Sequence, residues 1–324
     1  MSSRIKLLDA SDVRRSCTMS QAIEAMKIAF SKLSSGEANV PVRTNLPVTE
    51  QTQSLIMPVS IHGYSTYGLK AVSVTADNVD RGLPMIHGLM LLFDSKTGEP
   101  RCLLDGEFLT ALRTGAASGL ATDLLADPAA RHLVVFGTGR QATFQVEAVV
   151  AVRSIEMVTI VSRNPERAGE FCDNLRKFAD FKLSCTSDST VVATSDVICT
   201  ATPSKRPLVH VNDLPEQCHI NAVGSFRNDL CEIEPECLAS MSVLVDQRES
   251  GLKEAGEIYQ AIRLKLIQES DVIELGNLLL SAETIDVQKR TLFKSVGNAV
   301  QDLVVADYVL SQANRLGLGQ MIEI

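Results

Sequence analysis

No long run of basic residues interrupts this 324-residue chain, and its formal net charge is −8. Nothing therefore attracts a phosphate backbone, and the counterion-release basis of nucleic-acid affinity is missing. No stretch reaches the roughly 18 uninterrupted apolar residues that a bilayer-crossing helix needs. The opening Met1-Ser2-Ser3-Arg4-Ile5-Lys6-Leu7-Leu8 makes one short apolar step before Asp9 and Asp12, so it lacks the apolar core of a secretory signal. The expectation is a soluble, cytoplasmic protein with neither a nucleic acid nor a membrane as partner. There is no CxxC pair, and the eight cysteines at 17, 102, 172, 185, 199, 218, 231 and 237 are scattered through apolar segments, as reduced thiols are. Cys218, His219, Cys231 and Cys237 lie close together, but their spacings match no common zinc pattern, so no metal is expected. Internal repeats and low-complexity tracts are also missing.

What is present is an ordinary globular balance of 45% hydrophobic and 22% charged residues, in a chain whose length suggests two domains. Residues 18–33 place apolar side chains at helical spacing behind a Thr18 or Ser20 cap, which predicts an amphipathic helix ending near Gly36. From Pro41 to about Leu104 short apolar runs are broken by Pro47, Pro58, Gly63, Gly68, Gly82, Pro84 and Gly98, the pattern of a mostly antiparallel sheet. Within it, 89–93 and 101–104 flank a Gly-containing hairpin loop at 94–98. After about residue 115 strand and helix alternate: 132–136, 141–152, 157–162 and 165–179. That alternation predicts a doubly wound parallel sheet with crossover helices, to which 197–200, 219–224 and 242–246 add a fourth, fifth and sixth strand. A long amphipathic helix at 296–316 closes the chain.

The first of these strand-to-helix turns carries chemistry. In Phe136-Gly137-Thr138-Gly139-Arg140-Gln141-Ala142, Gly137 makes the tight turn, Gly139 lets backbone approach a pyrophosphate, and Ala142 permits close helix-to-strand contact. The helix start then offers free N–H groups and a positive dipole end to phosphates. At the end of the second strand, where an NAD site usually holds an acid for the ribose hydroxyls, the chain reads Ser162-Arg163-Asn164-Pro165. Ser162, Arg163, Asn164 and Arg167 suit a 2′-phosphate instead, since guanidinium geometry matches phosphate oxygens. NADP is the expected cofactor, with NADPH preferred over NADH.

Five landmarks in combination carry a resemblance over nearly the whole chain. They are Gly68-Leu69-Lys70, the run Leu-Thr-Ala-Leu-Arg-Thr-Gly-Ala-Ala-Ser at 109–118, the glycine turn at 137–142, Asn221-Ala222-Val223-Gly224-Ser225, and Phe-Lys-Ser-Val-Gly-Asn-Ala-Val-Gln-Asp at 293–302. The sequence resembles the ornithine cyclodeaminase/mu-crystallin family. The resemblance implies an α/β fold with a Rossmann doubly wound parallel sheet at 116–299, inserted in a second, α+β domain for substrate and dimerisation made of 1–115 plus 300–324. It also implies a homodimer, a site in the cleft between the domains, and a small imino or amino acid as substrate. By resemblance Arg43, Lys70 and Arg113 bind the substrate carboxylate, with Arg113 also near the cofactor phosphates. Thr138, Gly139, Arg140 and Gln141 contact the pyrophosphate; Thr200, Ala201 and Thr202 line the ribose; Val223, Ser225 and Val296 line the nicotinamide side.

The main departure from the family pattern lies two residues after Gly224, where cyclodeaminases carry an aspartate and this chain carries Phe226. A phenyl ring neither accepts a proton nor pairs with a distal ammonium group. The expected activity is therefore NAD(P)H-dependent reduction of a cyclic ketimine carboxylate, 1-pyrroline-2-carboxylate or 1-piperideine-2-carboxylate. Alternatives are an alanine dehydrogenase, an ornithine cyclodeaminase, and a non-catalytic NADPH-binding protein like mu-crystallin. Two residues are candidate proton donors: Lys70, if desolvation lowers its pKa, and His87.

Overall fold

The computed structural model describes residues 4–176, 180–281 and 284–323, with only the backbone of Ala76 and Val79. The chain forms two compact units, one of 1–113 with 298–324 and the other of 114–297.

The first unit opens with β1 (Arg4–Leu8), α1 (Ala10–Ser16) and α2 (Met19–Ser34). Thr18 caps α2 in a reciprocal box: its hydroxyl accepts from the Gln21 N–H while the Gln21 side chain accepts from the Thr18 N–H, satisfying two donors that a helix start leaves open. There follow β2 (Ala38–Asn39), β3 (Thr44–Pro47), β4 (Thr52–Ile61), β5 (Thr66–Thr75), β6 (Ile86–Asp94), β7 (Pro100–Asp105) and α3 (Gly106–Leu125). The hairpin of β6 and β7 has the expected turn, with a register shift at Leu92/Phe93. Pro58 falls between the short stretches of β4 that pair with β3 and with β2, a place where a strand tolerates the missing N–H.

Helix α3 escaped the sequence reading because almost every side chain from Leu109 to Thr122 is buried. A helix covered on all sides shows no polar stripe and hence no period.

The second unit continues with β8 (His132–Phe136), α4 (Arg140–Val152), β9 (Met157–Val161), α5 (Pro165–Arg176), β10 (Lys182–Thr186), β11 (Val197–Thr200), β12 (Cys218–Ala222), β13 (Met241–Val245), α6 (Arg248–Glu254), α7 (Gly256–Arg263), β14 (Val272–Glu274), α8 (Leu275–Leu280) and β15 (Arg290–Lys294). The end expected for α5, at 179, lies outside the described residues. All eight strands run parallel in the order β10-β9-β8-β11-β12-β15-β13-β14, which is a Rossmann-type doubly wound sheet. The three further strands expected from the sequence, β11, β12 and β13, are all present, and β15 lies between β12 and β13. The polar edge strand β10 and the five-residue β15 were not anticipated. Their apolar content is too short to stand out without its neighbours.

The chain returns to the first unit with α9 (Ala299–Leu316) and β16 (Gln320–Glu323). The sheet there has the order β16-β1-β7-β6-β5-β4-β2, with β3 also on β4. It is antiparallel apart from the parallel pair β1 and β7. The face of β4 to β6 bearing Met57, Lys70 and Met90 is buried, and a Cβ on Gly68 would meet Met90 and Leu303 of α9.

Candidate active site

Lys70 lies in the middle of β5, with Met57 and Met90 as its cross-strand partners, so the pleat directs it to the covered face with 1% of its surface exposed. Its Nζ donates to Asp302 Oδ1 of α9 at 2.8 Å. Arg113 Nε reaches the same oxygen at 3.1 Å, and Arg113 Nη1 donates to Gln301 Oε1 at 2.6 Å. Burial lowers the pKa of Lys70 to about 8; Arg113 and Arg43 add to that lowering, and Asp302 opposes it. Arg43, half-buried in the short link between β2 and β3, therefore acts on the same ammonium. The structure sets Lys70 and Arg113 against the carboxylate of Asp302, with Arg43 within electrostatic reach of Lys70.

Two polar atoms of this cluster, Asp302 Oδ2 and Gln301 Nε2, are buried without a hydrogen-bond partner. Such orphans are rare in finished protein interiors and are what a site built to receive a polar molecule leaves open. Neither Gln301 nor Asp302 was assigned a role from sequence, although both stand in the 293–302 landmark. No signal but their position one helical turn from the start of an amphipathic helix marked them.

His87 is not brought to this cluster. It pairs with Ser73, three residues along β5 from Lys70, and the odd spacing places it on the opposite face of the sheet, where it is exposed.

In the second unit the glycine turn follows β8, with β9 on one side of that strand and β11 on the other. This is the switch point at which open α/β sheets bind ligands, beyond the carboxyl ends of their strands. Gly137 has φ +112°, and a Cβ there would stand 2.8 Å from the Ala201 carbonyl oxygen. Gly139 is the N-cap of α4, with no side-chain hydrogen bond to the cap and open space where a Cβ would be. Helix N–H groups beneath an uncovered glycine form an anion cradle. Thr138 is half-buried, Arg140 is exposed, and Ala142 is fully buried against the sheet.

At the end of β9, Ser162 Oγ accepts from the Asn164 N–H at 3.2 Å and Asn164 Oδ1 accepts from the Arg167 N–H at 3.0 Å. This turn starts α5 and leaves Arg163 and Arg167 exposed. Across the switch point, Thr200 Oγ1 is buried without a hydrogen-bond partner, as is Gln141 Oε1. Ala201 and Thr202 follow β11, and Val223 and Ser225 follow β12. Val296 is buried and packs with the core of this unit. The glycine cradle and the two orphaned atoms fit a dinucleotide.

Phe226 packs half-buried against the same core. The next acid along the chain, Asp229, is held in a surface pair by Arg227, at 2.8 Å from Nε and 2.7 Å from Nη2. Two further charged groups that sequence reasoning missed, Glu232 and Lys294, are fully buried close to these loops.

Among the described residues no group of three or more His, Cys, Asp or Glu side chains is placed to hold a metal ion, and no helix is long and apolar enough to cross a membrane.

Comparison with known proteins gives four findings. The model of the ornithine cyclodeaminase/mu-crystallin family matches residues 4–316. A Delta(1)-pyrroline-2-carboxylate reductase of Bacillus cereus (strain ZK / E33L) is 37% identical over 323 residues, covering 98% of this chain and 99% of the relative. Among solved structures, Thermococcus litoralis Delta(1)-pyrroline-2-carboxylate reductase in complex with NADH and L-proline superposes with a TM-score of 0.93 at 33% identity, covering 98% of this chain and 99% of its own. An archaeal alanine dehydrogenase dimer with bound NAD does so with a TM-score of 0.91 at 30% identity, covering 98% and 99%.

Proposed function

This chain belongs to the ornithine cyclodeaminase/mu-crystallin family, and we propose that it reduces a cyclic ketimine carboxylate with NADPH. The substrates are 1-pyrroline-2-carboxylate, giving L-proline, and 1-piperideine-2-carboxylate, giving L-pipecolate. The observation that carries the reading is the convergence of Lys70 and Arg113 on the Asp302 carboxylate, with Arg43 near enough to act on the Lys70 ammonium and with Asp302 Oδ2 and Gln301 Nε2 left open. Lys70 and Arg113 are buried and share one carboxylate oxygen, a costly arrangement by itself that becomes favourable when a substrate carboxylate arrives to accept charge-assisted hydrogen bonds. The reductase names of the relatives point the same way.

A bound reduced nicotinamide supplies the hydride. In the reduction a C–H bond forms at the imine carbon, the C=N π pair moves to nitrogen, and nitrogen takes one proton. Arg113 and Arg43 hold the carboxylate, which fixes the plane of the ring. Lys70, with a pKa of about 8, is largely charged at neutral pH yet close enough to neutrality to release a proton. Gly137, Thr138, Gly139, Arg140 and Gln141 hold the pyrophosphate. Ser162, Arg163, Asn164 and Arg167 hold the 2′-phosphate.

The same reading includes a homodimer. Leu46 and Leu89 are 54% and 51% exposed on the outer face of the first unit's sheet, and the archaeal neighbour is a dimer. It also includes a cytoplasmic location, where NADPH and reduced thiols are maintained.

Mixing the purified protein with NADPH and a panel of imino and oxo acids, and following absorbance, tests the activity. Faster turnover of pyruvate with ammonia than of any cyclic imine would replace the reading by an amino-acid dehydrogenase. Sustained ammonia release from L-ornithine with NAD, at a rate matching imine reduction, would replace it by a cyclodeaminase.

A further inference from the structure

Glu232, Glu257 and Lys294 are each fully buried in the second unit, and nothing in the chemistry derived above uses them. Glu232 Oε1 accepts from the Thr202 N–H at 2.8 Å and from the Thr202 hydroxyl at 2.8 Å. Its Oε2 accepts from the Gly224 N–H at 2.8 Å and from the Ser225 N–H at 3.2 Å. Both oxygens thus accept two hydrogen bonds each, the arrangement that suits a carboxylate. Burial pushes the Glu232 pKa up and the charge of Glu257 adds to the rise, while the charge of Lys294 and the Thr202 donors act against it. Lys294, the last residue of β15, donates to Ser225 Oγ and lies 3.0 Å from Glu257 Oε1.

The four donors come from the two loops at the carboxyl ends of adjacent strands, Thr202 after β11 and Gly224 with Ser225 after β12. These loops approach so closely that a Cβ on Gly224 would fall 2.1 Å from the Thr202 nitrogen. A dinucleotide laid across the switch point puts its pyrophosphate on the turn after β8. Its adenosine half would then be held by the residues after β9, and its nicotinamide half by those after β11 and β12. The loops that Glu232 joins therefore form the wall on the nicotinamide side.

We propose that Glu232 is a positioning residue of the dinucleotide site, fastening the loop after β11 to the loop after β12 and so fixing the wall that receives the nicotinamide end. Lys294 supports it from β15 by binding Ser225. The inference rests on the reading that this unit binds NADPH. In Glu232→Gln one oxygen becomes an NH2 group. Whichever way the amide turns, that group faces the Thr202 N–H or the N–H groups of Gly224 and Ser225, so one loop is released.

The experiment is a titration of the full-length chain with NADPH and, separately, with 2′-phospho-ADP-ribose, the same molecule without its nicotinamide. For Glu232→Gln the expected result is a Kd for NADPH raised at least about tenfold, equivalent to 1.4 kcal/mol, with the fragment's Kd within twofold of wild type. Val192→Ala, a cavity in the same core, should lower thermal stability without changing the ratio of the two constants. If Glu232→Gln does not fold, Glu232→Asp, which keeps the charge but is too short to span both loops, is read in the same way. Unchanged binding of both molecules, or equal weakening of both, would overturn the proposal. A wild-type chain that binds neither molecule would instead overturn the dinucleotide reading beneath it.

Discussion

At Lys70 two opposed effects meet: burial and the guanidiniums of Arg113 and Arg43 favour the neutral amine, and Asp302 favours the ammonium. A proton donor must be charged before the reaction, so kcat/KM for the cyclic imine should be flat at neutral pH and fall about tenfold per unit above about 8. Asp302→Asn removes the carboxylate that stabilises the ammonium, and the falling limb of the pH profile should move to lower pH. A limb that stays in place would exclude Lys70 as the donor. Arg113→Ala deletes a buried charge-assisted bond of about 1.5–3 kcal/mol, so kcat/KM should drop by one to two decades. Near-normal turnover would move the carboxylate site elsewhere. Arg163 stands exposed at the end of β9, and Arg163→Asp should reverse the preference for NADPH over NADH in kcat/KM, because the new carboxylate repels the 2′-phosphate and accepts from ribose hydroxyls. Equal efficiency with both cofactors in the unaltered protein would refute the assignment.

Elements differ in how much of themselves they write into the sequence. The start of α2 was visible as a Thr or Ser cap before an apolar stripe because both are local, and the structure settles the cap on Thr18 with Gln21 as its partner. Thr18→Ala should cost about 1 kcal/mol, read as a lower melting temperature with kcat/KM unchanged. The glycine turn was visible for the same reason, and its demand is strict. Gly137→Ala forces a positive φ on a residue with a Cβ and drives that Cβ against the Ala201 carbonyl. The strain is about 1–3 kcal/mol, and NADPH affinity should fall, as measured by fluorescence titration. Helix α3, by contrast, carries Arg113 on a stretch buried on every side, and the short strand β15 ends in Lys294, a charge with no business in a core unless partners exist. Neither element is legible locally, since both are defined by what surrounds them.

For the whole molecule, the proposed homodimer would cover the exposed sheet face that bears Leu46 and Leu89, since apolar patches mark interaction surfaces. Sedimentation should report twice the mass of 35.1 kDa, and Leu89→Asp should shift it toward the monomer. A wild-type monomer at micromolar concentration would reject the dimer. The sequence by itself determined the second unit's strand-and-helix alternation, the glycine turn, the missing acid after β9 and the phenyl group at 226, because each is a property of neighbours along the chain. The tertiary structure alone decided that β15 separates β12 from β13, that His87 faces away from Lys70, and that Asp302 receives both Lys70 and Arg113. It also decided that Glu232 joins two loops. The physical reason is common to all four: sheet order, sheet face and the pairing of buried charges depend on residues up to 232 positions apart, and no local period or composition records which distant partner will arrive.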